Sequence, residues 1–461
     1  MSEFIVVQVG QCGNQIGSSL WPKILKEYEV LLNQSKRPQI KTTPVQDSLN
    51  SFFHVPNSNH HHAFLDLQEL LNNKVKARAI CIDMEERVVA RYKTGAYRGL
   101  FDDKYLVTNF PGSGNNWAEG FCEHGPQYQD KILNCLRHCV EKCDSLHGFL
   151  MLFSTGGGTG SGLGTYVLRM LSEFYPKVER FVSSVYATGT EDVITSPYNN
   201  ALATQQLLEN ATCVFPVENR CLLDIALKKL KTSAKYEGQF HPTDGMNSSV
   251  VDMLLHLTSG SRFPGNLNFD MNEINTNMVP FPKINFLTSG FNHILTCNEN
   301  AVSNRLKEEL FLASCHRANQ LIKVDPLSPS SLLLASTLMG RGDYTISDLQ
   351  RHVTKLQAKA KFTPWSQKAI KFGLCNVPPN GEKATLFSLF NTTGMGDLFR
   401  RIHSQYCSLY KKQAHIHHYC KVQNFDLNFF EECKESLESA VEKYRELENI
   451  KPMNVPRLKP F

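Results

Sequence analysis

Seven consecutive residues, Gly156-Gly157-Gly158-Thr159-Gly160-Ser161-Gly162, hold five glycines and two hydroxyls. An apolar run from Phe149 to Phe153 leads into them, and a helical pattern (Leu163, Val167, Leu168, Leu171) leads out. Glycine lets backbone N–H groups approach a bound group closely and accepts positive φ. A helix start adds a positive field end, so strand, glycine turn and helix together make an anion cradle. Thr159 and Ser161 add hydroxyl donors. No lysine follows the glycines, which separates this turn from the Walker-type loop, where a lysine reaches the phosphates.

A second glycine turn, Gly112-Ser113-Gly114-Asn115-Asn116, could close over the far side of the same phosphates. Asp83 and Glu85, alternate residues just past the apolar run Ala79 to Ile82, could hold Mg²⁺ through its waters. Taken singly, each feature also suits an ordinary tight turn or a helix cap. The order of the turns along the chain favours the phosphate reading.

Such turns need a scaffold. Phe4 to Val9 reads as a strand and runs into Gly10-Gln11-Cys12-Gly13-Asn14; Ile16, Leu20, Ile24, Leu25 and Tyr28 follow at helical spacing up to Leu32. Ala79 to Ile82 is the second strand and Phe149 to Phe153 the third. Strands alternating with helices predict an α/β fold with a parallel sheet covered on both faces. Ligands of such sheets bind beyond the carboxyl ends of the strands, where all of these turns sit. Asn33 to Asn73 is polar and rich in Asn, Ser, Pro and His, and reads as a surface loop. Beyond about Asn219 strands (Leu332–Met339, Ala384–Asn391) mix with a helix (Leu349–Leu356). Two helical stripes close the chain, Met395 to Leu409 and Phe430 to Leu447. The division is a nucleotide domain over 1–219, an intermediate domain over 220–393 and a C-terminal helical region over 394–461.

The 461 residues suffice for two or three domains. Hydrophobic residues make up 41% and charged residues 20%, an ordinary globular balance, and the net charge of +5 is too mild to indicate nucleic acid. No apolar run approaches the ~20 residues of a membrane helix. Fourteen scattered cysteines without a secretory start point to a reducing compartment and small buried thiols. His60-His61-His62 lie in a polar loop without Cys or acidic partners at ligand spacing and read as solvated; His415, His417 and His418 lie in the C-terminal helical region and read as a surface or subunit contact.

Six segments together resemble the tubulin superfamily: Gly10 to Gln15, Gly114 to Ala118, Gly156 to Gly162, Pro197-Tyr198-Asn199, Arg262 to Gly265 and Val279 to Pro282. They occur in the family's order and spacing between about Phe4 and Glu448. The resemblance implies a tubulin-like GTPase with GTP or GDP and Mg²⁺ bound. It places Gln11, Cys12 and Gln15 along the first phosphate and base-side loop, and Asp83 and Glu85 at the Mg²⁺ and its waters. Asn115 faces the terminal phosphate, and Ser154 with Gly156, Gly157, Gly158, Thr159, Gly160 and Ser161 forms the main phosphate loop. Asp192 joins the nucleotide contacts, and Asn210 and Asn247 read the guanine edge. Two positions depart from the family: Thr243 stands where an aromatic usually stacks on the base, and Ser196 where a glutamate often lies near the ribose.

Asp270 and Glu273 lie three apart, so on a helical turn both carboxylates would face one way. In the resemblance, Glu273 reaches the GTP of the next subunit in a filament, with Asp270 beside it as the second catalytic acid; without it, the pair would read as a solvated helix cap. The longitudinal partners would be other tubulins, and no membrane or nucleic acid. Ser113 to Trp117, Asp192 to Asn199 and Leu409 to Tyr419 resemble the epsilon branch, implying a centriole or basal-body role, centriolar partners and a centrosomal, cytoskeletal location. Residues 450–461 are basic and proline-bearing where alpha- and beta-tubulins carry Glu-rich tails. The lateral-contact loop, Gly290 to Ala301, is shorter than theirs. The alternatives are a non-hydrolysing GTP-bound adaptor or cap, and a dinucleotide-dependent enzyme. The last is disfavoured because no G-x-G-x-x-G turn with an acidic ribose reader occurs at the usual distance.

Overall fold

A computed structural model describes the chain apart from residues 1, 29–47, 57–63, 65, 188–192, 233–240, 264, 266, 293–301 and 451–461. Six strands form the first sheet: β1 (Glu3–Val9), β4 (Ala79–Asp83), β5 (Leu106–Thr108), β6 (Leu146–Ser154), β7 (Glu179–Tyr186) and β8 (Cys213–Glu218), in the spatial order β5-β4-β1-β6-β7-β8. Every neighbouring pair is parallel. A short antiparallel pair, β2 (Phe53–His54) and β3 (Lys76–Ala77), lies between β1 and β4 in sequence.

All seven residues of β1 are buried, as expected for a strand covered on both faces. Ile5, Val7 and Val9 enter one core with Phe149, Met151 and Phe153 of β6, whereas Phe4 and Val6 enter the other with Leu150 and Leu152. The strand's two-residue period thus feeds two layers of helices. Along the first two thirds of the chain, the described helices are α1 (Gly10–Glu27), α2 (Leu67–Asn72), α3 (Glu86–Thr94), α4 (Gly125–Glu141), α5 (Gly164–Phe174), α6 (Ser196–Asn210), α7 (Asn219–Thr232), α8 (Pro242–Leu257), α9 (Ser259–Arg262) and α10 (Met271–Met278). α1 and α8 cover one face; α4, α5 and α6 cover the other.

The second sheet has the order β11-β10-β12-β9, built from β9 (Thr288–Phe291), β10 (Leu333–Gly342), β11 (Lys371–Cys375) and β12 (Ala384–Thr392). α11 (Asn304–Cys315) and α12 (Ile346–Lys359) pack on it through Leu310, Phe311, Leu349 and Leu356. The last helices are α13 (Gly396–Tyr410), α14 (Ile416–Cys420) and α15 (Asn428–Glu448). The first sheet therefore lies within residues 3–218, the second within 288–392 and the closing helices within 396–448. The closing helices share a core with the first sheet: Phe399, Tyr406, Phe430 and Tyr444 join the cluster that holds Val7 and Phe153.

A buried ion cluster joins the two halves. Glu27, at the end of α1, forms ion pairs with Arg262 (2.6 Å) and with Arg341 of β10 (3.1 Å), all three side chains at most 1% exposed. Both guanidiniums also donate to the Leu255 carbonyl, at 2.7 and 3.2 Å.

The expectation of a polar loop over Asn33–Asn73 needs correction where the chain is described. Ser48–Ser51 forms a 3-10 turn, followed by β2 and later α2. Phe52, Phe53 and Leu70 are buried, Phe52 and Phe53 packing edge-on against Trp21. A few aromatics outweigh a polar composition because each buries a large apolar surface.

Candidate phosphate-binding site

The turns foreseen in the sequence meet at the carboxyl ends of β1, β4 and β6. Gly10 takes φ +71° as β1 turns into α1, and a Cβ there would lie 2.9 Å from the Gly160 amide nitrogen. A Cβ on Gly160 would in turn stand 2.8 Å from the Ser154 carbonyl oxygen at the end of β6. Both glycines are needed for this close approach of backbones. Asn14 braces the first turn by donating to the carbonyls of Gly10 and Ile82, each at 3.0 Å. Gln11 is exposed beside it, and Cys12 and Gln15 are half-buried. Burial pushes the Cys12 thiol up to about 12, away from the thiolate form.

The second glycine turn closes on the first cluster. A Cβ on Gly158 would meet the Ser113 carbonyl oxygen at 2.5 Å and the Asn116 nitrogen at 2.7 Å. Ser113 Oγ lies 3.0 Å from Thr159 Oγ1 and 2.9 Å from His124 Nδ1. Gly114 and Asn115 are both left-handed, at φ 49° and 55°, and Asn115 is exposed. After Gly156 and Gly157, residues Thr159–Leu163 form a single π-helical turn leading into α5. The first amides of a helix have no intrahelical partner, which suits them to an anion. The Ser161 hydroxyl is already used on the Gly157 carbonyl, so it braces the turn and is not the free donor expected from sequence.

Asp83 ends β4 and is 2% exposed. One carboxylate oxygen accepts from the Glu85 amide at 3.3 Å; the other is buried without a partner among the described residues. Burial raises its pKa to about 7. Glu85 is exposed, its Oε1 3.0 Å from where a Cβ on Gly112 would stand. An orphaned carboxylate oxygen beside a second, solvated carboxylate fits the hard-oxygen shell of Mg²⁺.

Thr243 and Asn247 lie one turn apart on α8, Thr243 exposed and Asn247 half-buried. Lys23 of α1 donates to Ser248 of α8 (2.8 Å), while Arg262 just beyond α8 reaches Glu27. The two helices therefore run in the same direction, and Thr243 and Asn247 lie toward the Gly10 end. Ser196 is buried at the start of α6, beside Gly156. Asp192 lies outside the described residues, as do His60 to His62 and most of the Gly290–Ala301 loop.

Asn210 does not join the site. It is the last residue of α6, three residues before β8 begins, and its amide donates to Gln206. In a parallel sheet that is the amino edge, opposite the glycine turns. Asn219 follows the carboxyl end of β8 and opens α7, on the edge where the turns gather. Sequence reading also missed Asn199, whose buried amide bonds the carbonyls of Asn115 (2.8 Å) and Gly156 (2.9 Å). Its only sequence signal was its place in Pro197-Tyr198-Asn199.

Glu273 and Asp270 stand at the far end of the sheet. Asp270 is the N-cap of α10 and accepts from the Glu273 amide at 2.8 Å. It also faces His147 at 3.5 Å, whose hydrogen bond holds its carboxyl below the usual range. Asn275 of α10 donates to Glu179 at 3.0 Å. His147 and Glu179 begin β6 and β7, so α10 covers the amino edge. Nine residues of β6 at ~3.3 Å each put about 30 Å between α10 and the glycine cluster. The expected side-by-side carboxylates are not formed, because Asp270 turns back to cap the helix while Glu273 stays exposed.

Residues 3–227 match the Tubulin/FtsZ family, GTPase domain, and residues 282–404 match the Tubulin C-terminal domain. The chain is 40% identical to the tubulin epsilon chain of Homo sapiens over 99% of both chains. It belongs to the tubulin superfamily. It is 39% identical to the tubulin epsilon chain of Mus musculus, over 99% of this chain and 98% of the other. The tubulin alpha chain of Pneumocystis carinii is 30% identical over 97% of each. The six-stranded parallel sheet, second sheet and closing helices are the α/β tubulin architecture expected from sequence. Membership of this GTPase family implies a guanine nucleotide as the anion for the glycine turns. No helix among the described residues is long and apolar enough to cross a membrane.

Proposed function

We propose that this tubulin holds GTP or GDP across the tips of β1, β4 and β6, assembles end to end with other tubulins, and hydrolyses GTP only when stacked. The amides and hydroxyls of Ser154, Gly156 to Gly160 and Asn115 grip the phosphates. Gln11, Cys12 and Gln15 line the first turn, and Asn247 meets the guanine edge with Asn219 in the place first given to Asn210. Asp83 and Glu85 hold Mg²⁺, which when bound offsets phosphate charge. Glu273 of the neighbouring subunit orients a water toward the terminal phosphate, and Asp270 serves it by capping α10. Such a site works by positioning and electrostatics, with little covalent work by protein groups.

The observation that carries this reading is the separation of Glu273 from the glycine turns. An acid at the amino edge cannot reach its own subunit's phosphates, but it can face those of the next subunit in a head-to-tail stack. The test is GTP turnover per subunit against protein concentration. Turnover that rises with assembly, and falls in Glu273→Ala, supports the reading; turnover independent of concentration overturns catalysis in trans. Thr243, with no ring to stack on the base, favours a second reading, a permanently GTP-bound adaptor or cap. It predicts retained GTP with no turnover even when assembled. The likeness to epsilon chains supports a cytoskeletal place at centrioles or basal bodies with centriolar partners, tested by tagging the protein in ciliated cells.

A further inference from the structure

Asn199 uses every hydrogen-bonding position of its side chain. An asparagine amide has two donor hydrogens and an oxygen with two lone pairs. The nitrogen donates to Asn115 O (2.8 Å) and Gly156 O (2.9 Å), one carbonyl from each glycine turn. The oxygen accepts from the Trp117 amide (2.9 Å) and from the hydroxyl of Tyr419 (2.7 Å). Three of these four partners belong to the phosphate turns and their flank; the fourth comes from α14, more than two hundred residues on.

Tyr419 is fully buried, its ring packed edge-on against Tyr198 and Phe430 at 5.6 and 5.3 Å. The segment around it is tied to the same turns elsewhere. Asn116 Nδ2 donates to the His418 carbonyl (3.0 Å), Tyr198 Oη to the Ala414 carbonyl (2.9 Å), and the Gln423 amide to Glu123 (3.1 Å). Gln413, His415 and Asn424, around α14, hold left-handed φ values of 49°, 62° and 62°, strained for residues with side chains. Packing and these bonds hold the segment in one arrangement.

We propose that Tyr419 is a positioning residue for the nucleotide: through Asn199 it sets the spacing of the Asn115 and Gly156 carbonyls, and so the aim of the amides that grip the phosphates. Contacts made over residues 411–425 and nucleotide retention at the glycine turns are then coupled, in both directions. The inference rests on the guanine-nucleotide reading given above.

The experiment compares Tyr419→Phe with Tyr406→Phe. Tyr406 belongs to the same aromatic cluster and also donates one buried hydroxyl bond, to the Phe430 carbonyl at 2.7 Å, but it does not touch Asn199. Both variants lose one buried hydroxyl bond and should melt lower by similar amounts. Release of a fluorescent GTP analogue should be about five- to tenfold faster in Tyr419→Phe and unchanged in Tyr406→Phe. Equal release from the two variants overturns the proposal. If Tyr419→Phe does not fold, hydrogen exchange on the wild-type chain decides: slower exchange over 411–425 with GTP than without supports the coupling, and identical exchange removes it. A wild-type chain that binds no guanine nucleotide overturns the underlying reading too, a result distinct from nucleotide binding with equal release.

Discussion

Gly10 and Gly160 stand back to back, so close that a Cβ on the first would lie 2.9 Å from the amide nitrogen of the second. Gly10→Ala combines a left-handed φ with a collision inside the phosphate cradle. Gly381 offers the control, since its φ of +82° is as strained but nothing lies within 4 Å of its Cβ position. Both alanine variants should lose about 1 kcal/mol of stability from the backbone term. Only Gly10→Ala should also weaken GTP binding, by tenfold or more, in a fluorescence titration.

Asp83 trades stability for binding. With its pKa raised to about 7 by burial, the folded protein holds this proton more tightly than the unfolded chain does. The stabilisation is complete below about pH 4, the unfolded value, and is lost as pH rises through 7. Asp83→Asn should therefore stabilise the nucleotide-free protein at pH 8 by about 2–4 kcal/mol, with the gain vanishing toward pH 4. The same variant should bind Mg²⁺-GTP more weakly. Thermal melts across pH, with and without Mg²⁺-GTP, check both halves.

Asp270 and Glu273 should separate by phenotype. Asp270→Ala removes an N-cap and should cost about 1 kcal/mol, seen as a lower melting temperature. Glu273→Ala, altering an exposed side chain, should leave melting and GTP affinity unchanged while lowering turnover in assembled material. Equal losses of stability in the two variants would contradict this assignment.

Glu27→Gln would leave Arg262 and Arg341 buried without their carboxylate. Removing one partner of a buried ion cluster costs about 3–5 kcal/mol. The urea midpoint should fall accordingly with an unchanged slope.

Legibility in the sequence followed the range of the interaction. β10, β12 and the last two long helices were readable because their apolar periods are local, and the glycine turns because glycine reports backbone geometry directly. Phe52 and Phe53 were hidden inside a polar stretch, since composition averages over the few residues that dock. Asn210 was misplaced because one asparagine resembles another until the edges of the sheet are known; Asn219, at the right edge, lies nine positions on. The pairing of Asn199 with Tyr419 spans too much chain for any local pattern to show. Asp270 was misjudged because three-residue spacing holds inside a helix and fails at its cap.

A parallel sheet has a direction, and here the direction separates the glycine turns at its carboxyl edge from Glu273 at its amino edge. A row of such subunits has two unlike ends. In the head-to-tail stack proposed above, the last nucleotide at one end would face solvent with no Glu273 above it, and at the other end a Glu273 would face solvent with nothing to act on. On that proposal the outermost nucleotide is spared until another subunit arrives, so the row would carry a record of its most recent addition.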